Sequence, residues 1–238
     1  GTVLMCVNLG WGVFNVETAL SDMLGLPVKA GNDANVAALG EQWLGGGRGH
    51  SNMVMVTLGT GVGGGIILDG KIVSGTCGAA GEIGHMNVVD EKDVIGVCGC
   101  GNRGCLEQVA SATGVVKLAK RMLEETDKET SLRSLPEVSA KSVFDAAKAG
   151  DAAAKEVVDI MSGYLGSALA AIGAVLNPEI FVIGGGVSKA GEYLIDVIRE
   201  KYKAKSFHAV KDTEFALALL GNDAGMVGAA RLVLSLGE

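Results

Sequence analysis

The chain predicts an α/β fold built on a mixed sheet, and three observations carry that expectation. Short apolar or β-branched runs that end in glycine alternate with stretches of helical periodicity. Asp69-Gly70 separates two such runs and signals a tight hairpin, which needs antiparallel neighbours. The uncharged stretch 160–177, rich in alanine and interrupted by Gly163, Gly166 and Gly173, reads as a closely packed buried helix.

The elements follow in order. A strand is expected over 3–7, then a helix over 16–24, where apolar residues recur at helical spacing. A short strand at 28–30 leads through Gly31-Asn32-Asp33 into a helix over 34–44, with Asp33 placed to cap it. Strands at 53–58 and 65–68 turn around glycines 59–64, and a third strand at 71–73 follows the hairpin. Helical periodicity then covers 110–125, 140–149, 152–176, 193–202 and 224–236, with strands at 180–183 and 215–219 between them. The acidic, polar stretch 124–137 reads as an exposed loop. There is no repeat at solenoid spacing and no low-complexity tract.

A length of 238 residues allows one large or two small domains with a real core. Hydrophobic residues at 48% and charged residues at 20% exclude a disordered chain. Glycine, 37 of 238, is about twice its usual ~7% share. It gathers in short clusters, which points to several tight turns with functional roles. A net charge of −7 argues against a nucleic-acid interface. Although 160–177 approaches the ~20 residues of a membrane span, its Ser and Gly content favours a core helix. The expectation is a soluble cytoplasmic protein with neither nucleic-acid nor membrane partners. The chain begins at Gly1 without an initiator methionine, and 4–7 reads as a strand already inside a sheet, so a piece of a longer protein is expected.

Four groups of residues carry chemistry. His85 and the compact C-x-C-x4-C set Cys98, Cys100 and Cys105 supply the thiolate and imidazole ligands that Zn²⁺ favours. Intervening glycines let the backbone turn tightly enough to aim them at one ion. Buried free thiols are the competing reading, which suits Cys6 and Cys77 better than a glycine-rich cluster. An odd total of 5 cysteines argues against a disulfide framework. Second, Gly59-Thr60-Gly61-Val62-Gly63 follows an apolar strand, where backbone N–H groups and the Thr60 hydroxyl can meet phosphate oxygens. An ordinary glycine hairpin fits the same residues, and the pattern is not a Walker A loop. Third, Gly184-Gly185-Gly186 joins a strand to a helix, as a ligand loop or for close packing. Fourth, Asp33 reads alone as a helix cap.

Gly81-Glu82-Ile83-Gly84-His85 together with Cys98 to Glu107 resembles the signature of the ROK family of sugar kinases and sugar-responsive repressors. The resemblance spans essentially the whole chain, and the opening Val7-Asn8-Leu9-Gly10-Trp11 is most similar to the family's bacterial glucose kinases. It implies an actin-like ATPase (ribonuclease H-like) fold. Residues 1–33 would be a remnant of a small N-terminal domain, 34–223 the large domain with its zinc loop, and 224–238 a C-terminal helix returning to the small domain. It implies ATP-dependent phosphorylation of glucose, with Mg²⁺ and a structural Zn²⁺ held by His85, Cys98, Cys100 and Cys105. Asp33 would be the general base. Asn32, Asp33, Glu82, His85 and Glu107 would contact the sugar. Gly59, Thr60, Gly61 and Gly63 would hold phosphate, and Gly184, Gly185 and Gly186 would face adenosine. Family members often form homodimers, and one is expected here.

The chain departs from the family pattern in two places. An Asp-x-Gly-Gly-Thr phosphate loop at the end of a first strand, which organises Mg²⁺, is absent, so the chain by itself is expected to be inactive. The interval from His85 to Cys98 is longer than usual, with 87–97 as a loop extension. Two alternatives stay open: the sugar-sensing domain of a ROK repressor, and a kinase for another hexose such as fructose or N-acetylmannosamine. His50 and His208 match no motif and are expected on the surface.

Overall fold

The computed structural model describes residues 1–3 and 10–234. Most of the expected strand 3–7 lies outside the described residues, as do Cys6, positions 7–9 of the opening and the end of the helix expected over 224–236. Strands β1 (Thr2–Val3) and β2 (Phe14–Asn15) pair antiparallel, and Asn15 caps α1 (Val16–Leu24), accepting a hydrogen bond from the Thr18 N–H. Among the described residues, 28–30 pair with no strand, which corrects the short strand expected there.

The main sheet has five strands in the order β5 (Lys71–Ile72), β4 (Val62–Leu68), β3 (Met53–Leu58), β6 (Ile180–Gly184) and β7 (Glu214–Leu217). β3, β6 and β7 run parallel, β4 is antiparallel to β3, and β5 is antiparallel to β4. The β4–β5 turn places both Asp69 and Gly70 at positive φ, as a two-residue hairpin demands.

Period-2 alternation sorts the strand residues onto two faces. Val54, Val56, Leu58, Phe181 and Ile183 pack into a large core. That core is closed by α3 (Glu107–Ala110), α4 (Ala112–Glu125), α5 (Ala140–Lys148), α6 (Ala152–Leu176) and α7 (Glu192–Lys205). Met53, Met55, Ile180 and Val182 face the other way, toward α2 (Asp33–Leu44), with Leu232 of α8 (Ala224–Leu234) beside them. α6 is long and apolar enough to cross a membrane by length and composition, but Val157, Met161, Leu165, Leu169 and Ile172 are core residues.

Two further expectations are corrected. The helix read over 110–125 is two helices, because Ser111 is extended and its side chain accepts the Gly114 N–H to start α4. The stretch 124–137 is not wholly exposed: Leu132 is buried in a short 3-10 turn over Ser131–Ser134. His208 is exposed, but His50 is half-buried, with its Nε2 3.6 Å from Glu214 Oε2.

Candidate active site

Helix α2 begins where the sequence places a turn signal. Asn32 is extended, and its Oδ1 accepts the N–H groups of Ala34 and Asn35 at 3.0 and 3.2 Å. Asn32, not Asp33, is therefore the cap. Asp33 is the first helical residue, where the helix dipole favours a carboxylate.

The two glycine loops leave the carboxyl ends of adjacent parallel strands, since Thr57 of β3 pairs with Gly184 of β6. This is where α/β sheets hold ligands. The turn after β3 is shorter than expected: β4 starts at Val62, so Gly63, Gly64 and Gly65 are strand residues. Gly64 and Gly65 let Ile83 and α2 approach, and a Cβ on Gly65 would lie 2.5 Å from the Ala38 methyl. In the second loop Gly185 has φ 83°, and a Cβ there would meet the Leu58 backbone at 2.6 Å, so only glycine fits.

Together these elements wall a cleft of about 880 Å³. Asp33, Gly59, Gly61, Gly63, Gly185 and Gly186 line it, with Glu107 on the same wall. Thr60 is exposed at the turn tip and Gly184 is buried at the end of β6, and neither lines the cleft. Thr57, Ser188, Lys189, Leu219 and Asn222 line it without having been singled out in the sequence. Ser188 lies two residues after Gly186, close enough to the glycine loop to be a usable signal, whereas Leu219 and Asn222 carry none. Asn32 faces a neighbouring hollow of about 650 Å³ beside Asp69.

Glu107 links this cleft to the cysteine cluster. Its Oε2 accepts the Val62 N–H at 3.0 Å, and its Oε1 lies 3.8 Å from Cys98 Sγ. The loop before it is tied down too, because the Ala112 N–H donates to the Gly59 carbonyl at 2.8 Å. His85 closes the 3-10 turn Ile83–His85, with Nδ1 3.6 Å from Cys98 Sγ and Nε2 3.9 Å from Glu82 Oε2. Glu82 and His85 are exposed and do not line the cleft.

Cys100 Sγ and Cys105 Sγ are 3.6 Å apart as free thiols, and the four possible ligand atoms all lie within 4.8 Å of one another. A tetrahedral ion bonded to sulfur at ~2.3 Å sets a sulfur–sulfur separation of about 3.8 Å, so the residues fit one zinc ion. The 87–97 extension folds back, with Asn87 bridging Cys105 and Val97 bridging Arg103. Burial pushes the Cys105 thiol up to about 12, with the neighbouring Cys100 and Cys98 adding to the rise. The Asn102 backbone N–H holds the Cys100 thiol below its usual range. A metal cation bound at the cluster would displace the proton of such a thiol to solvent. Cys77 is exposed rather than buried, which corrects its reading as a small core residue.

A nucleotide-sized cleft walled by two glycine loops and a helix-borne carboxylate, beside a Cys/His cluster, is the pattern of one family, and the chain belongs to it. The ROK family profile matches residues 1–235. A glucokinase of Halalkalibacterium halodurans is 48% identical over 98% of this chain and 71% of its own length. A xylose repressor of Caldicellulosiruptor bescii is 32% identical over 99% of this chain and 59% of its own length. The crystal structure of a ROK glucokinase from Streptomyces griseus, in complex with glucose and AMPPNP, superposes with a TM-score of 0.80. It is 36% identical, covering 97% of this chain and 76% of that one. The actin-like α/β fold expected from the sequence is thus the one this chain shares with ROK sugar kinases.

Proposed function

We propose that the protein phosphorylates glucose with ATP to give glucose 6-phosphate. The observation that carries this reading is that Asp33 and both glycine loops wall one cleft. The glucokinase relatives and the glucose–AMPPNP complex support it from outside the chain.

Asp33 is the general base. Its carboxylate accepts the proton of the attacking sugar hydroxyl as that oxygen bonds to the γ-phosphorus. The bond from the γ-phosphorus to the β,γ-bridging oxygen breaks, and ADP leaves. Phosphoryl transfer is mostly positioning and charge stabilisation, so an ordinary carboxylate suffices if it meets the hydroxyl. Gly59, Gly61 and Gly63 bring backbone close to the phosphates, and Gly185 and Gly186 border the adenosine side. Mg²⁺, carried with ATP, supplies neutralising charge at the phosphate oxygens.

Glu107 lines the cleft, holds the Val62 amide and stands between phosphate loop and cluster, so it orients the sugar. Sugar contacts from Asn32, Glu82 and His85, which do not line the cleft, are carried over from the family alone. His85, Cys98, Cys100 and Cys105 would hold Zn²⁺. Four protein ligands leave no open coordination position, so the ion would brace the loop. A cytoplasmic location and a homodimer are both carried over from the family alone.

The test is a titration of glucose, with and without ATP and Mg²⁺, into the full-length protein and its Asp33→Asn variant. General-base loss costs about 10²–10⁴ in rate. The variant should lose turnover by about that factor while binding glucose within threefold of wild type. Turnover retained in the variant removes Asp33 from the role of base. Glucose binding with no response to ATP in wild type moves the protein to the sugar-sensing class of its repressor relatives.

A further inference from the structure

Among the described residues, Glu41 is the only charged side chain that is buried, and it is 0% exposed. Nothing in the chemistry above uses it. It sits in α2 eight positions after Asp33, about 12 Å along the helix at ~1.5 Å per residue. Its Oε2 accepts the N–H groups of Gly46 at 2.8 Å and Leu219 at 3.0 Å, and its Oε1 accepts that of Leu220 at 2.8 Å. A buried carboxylate is costly unless it is satisfied in this way.

What Glu41 holds is the far wall of the cleft. Leu217, Ala218, Leu219, Gly221 and Asn222 line the same cleft as Asp33. Among the described residues the loop's other backbone ties lie at its two ends: the Ala218 N–H donates to the Ile183 carbonyl, continuing the β6–β7 ladder, and the Asp223 N–H to the Leu220 carbonyl. Leu219 is itself 72% exposed, so apolar burial of its side chain does not hold it in place. Close packing leaves Glu41 little room to move, since a Cβ on Gly45 would stand 1.9 Å from Oε2.

We propose that Glu41 is a positioning residue that sets the nucleotide wall at 217–222 relative to the helix carrying Asp33. The inference rests on reading this cleft as the ATP site. Glu41→Gln tests it sharply. Whichever way the new amide turns, its NH₂ opposes at least one of the three backbone N–H groups. With the NH₂ toward Leu220, one bond is lost; reversed, two are lost.

The experiment uses the full-length protein, wild type, Glu41→Gln and Glu41→Asp. It reads glucose and AMPPNP affinity, KM and kcat, thermal unfolding, and amide exchange at Leu219 and Leu220. In wild type those amides should exchange as slowly as those of β6, and fast exchange overturns the proposal. In Glu41→Gln, AMPPNP affinity should fall at least tenfold and KM for ATP should rise in parallel, with glucose affinity changed less than threefold. Glu41→Asp keeps the charge but shortens the reach, so the same nucleotide-selective loss is expected, and it serves if the glutamine variant does not fold. A lower melting temperature with wild-type nucleotide affinity, KM and kcat would make Glu41 purely structural. If wild type binds glucose but no AMPPNP, the kinase reading fails and this inference falls with it. If wild type binds both and the variants match it, the inference alone fails.

Discussion

Replacing Gly228 with alanine sets two physical effects against each other. In isolation, glycine to alanine inside a helix gains about 1 kcal/mol. In this fold α8 crosses α2 where both helices carry glycine. An added Cβ on Gly228 would lie 1.7 Å from the Val36 carbonyl oxygen, 2.6 Å from its carbon and 3.0 Å from the Gly40 nitrogen. These are backbone atoms of a rigid helix, so the helices must part by more than 1 Å to restore a normal contact of roughly 3.5 Å. Overpacking costs typically ~1–3 kcal/mol, and a backbone clash belongs at the upper end. After the helix gain, a net loss of about 2 kcal/mol remains, or roughly 4–8 °C in melting temperature for a chain of this size. The assay is thermal unfolding by far-ultraviolet circular dichroism. Gly163→Ala is the control: Gly163 lies inside α6, and an added Cβ there meets nothing within 4 Å. Gly228→Ala should melt lower than wild type and Gly163→Ala slightly higher. A Gly228→Ala variant that melts at or above wild type refutes the tight crossing.

Asp151 caps α6 and accepts from Ala154 N, Ser131 N and the Thr130 and Ser131 hydroxyls. Burial pushes its carboxyl up, but these donors outweigh it and hold it at about 2. Its folded value is depressed, so its stabilisation is present above about pH 4 and is lost as pH falls through about 2. That is worth about 2 kcal/mol. The gap in urea stability between wild type and Asp151→Ala should therefore narrow by roughly that amount from pH 5 to below pH 2. A gap that does not change with pH contradicts the assignment. For the cluster, elemental analysis of protein purified without chelator should find one zinc per chain, absent from Cys100→Ser. Stripping the metal should weaken glucose binding, and unchanged affinity in verified metal-free protein would uncouple the cluster from the sugar site.

What the sequence made legible follows the range of the interactions involved. α1 and α6 match their expected limits, because helical periodicity and flanking Asn15 and Asp151 are local signals. β3, β6 and the Asp69-Gly70 turn were readable for the same reason. The cap at Asn32 was misassigned by one residue, since Asn32 and Asp33 are both good caps and only the backbone angles separate them. Gly63 and Gly64 looked like loop because glycine is rare in strands; here α2 and Ile83 press on that strand and leave no room for side chains. The two-residue β2 lacks the length for a periodic signal. Of the site, Asp33, Glu107 and the glycine loops came from motifs. Glu41 did not, because its partners at Leu219 and Leu220 lie 178 and 179 residues away, and a lone Glu on a helix reads as solvated surface.

The central claim is that Asp33 and the two glycine loops form a working sugar-kinase cleft. The most direct measurement is transfer of γ-labelled phosphate from ATP to glucose by the full-length protein, beside Asp33→Asn. The account predicts labelled glucose 6-phosphate from wild type, and a loss of about 10²–10⁴ in rate in the variant. No label on the sugar from a wild-type protein that binds both glucose and ATP would contradict it.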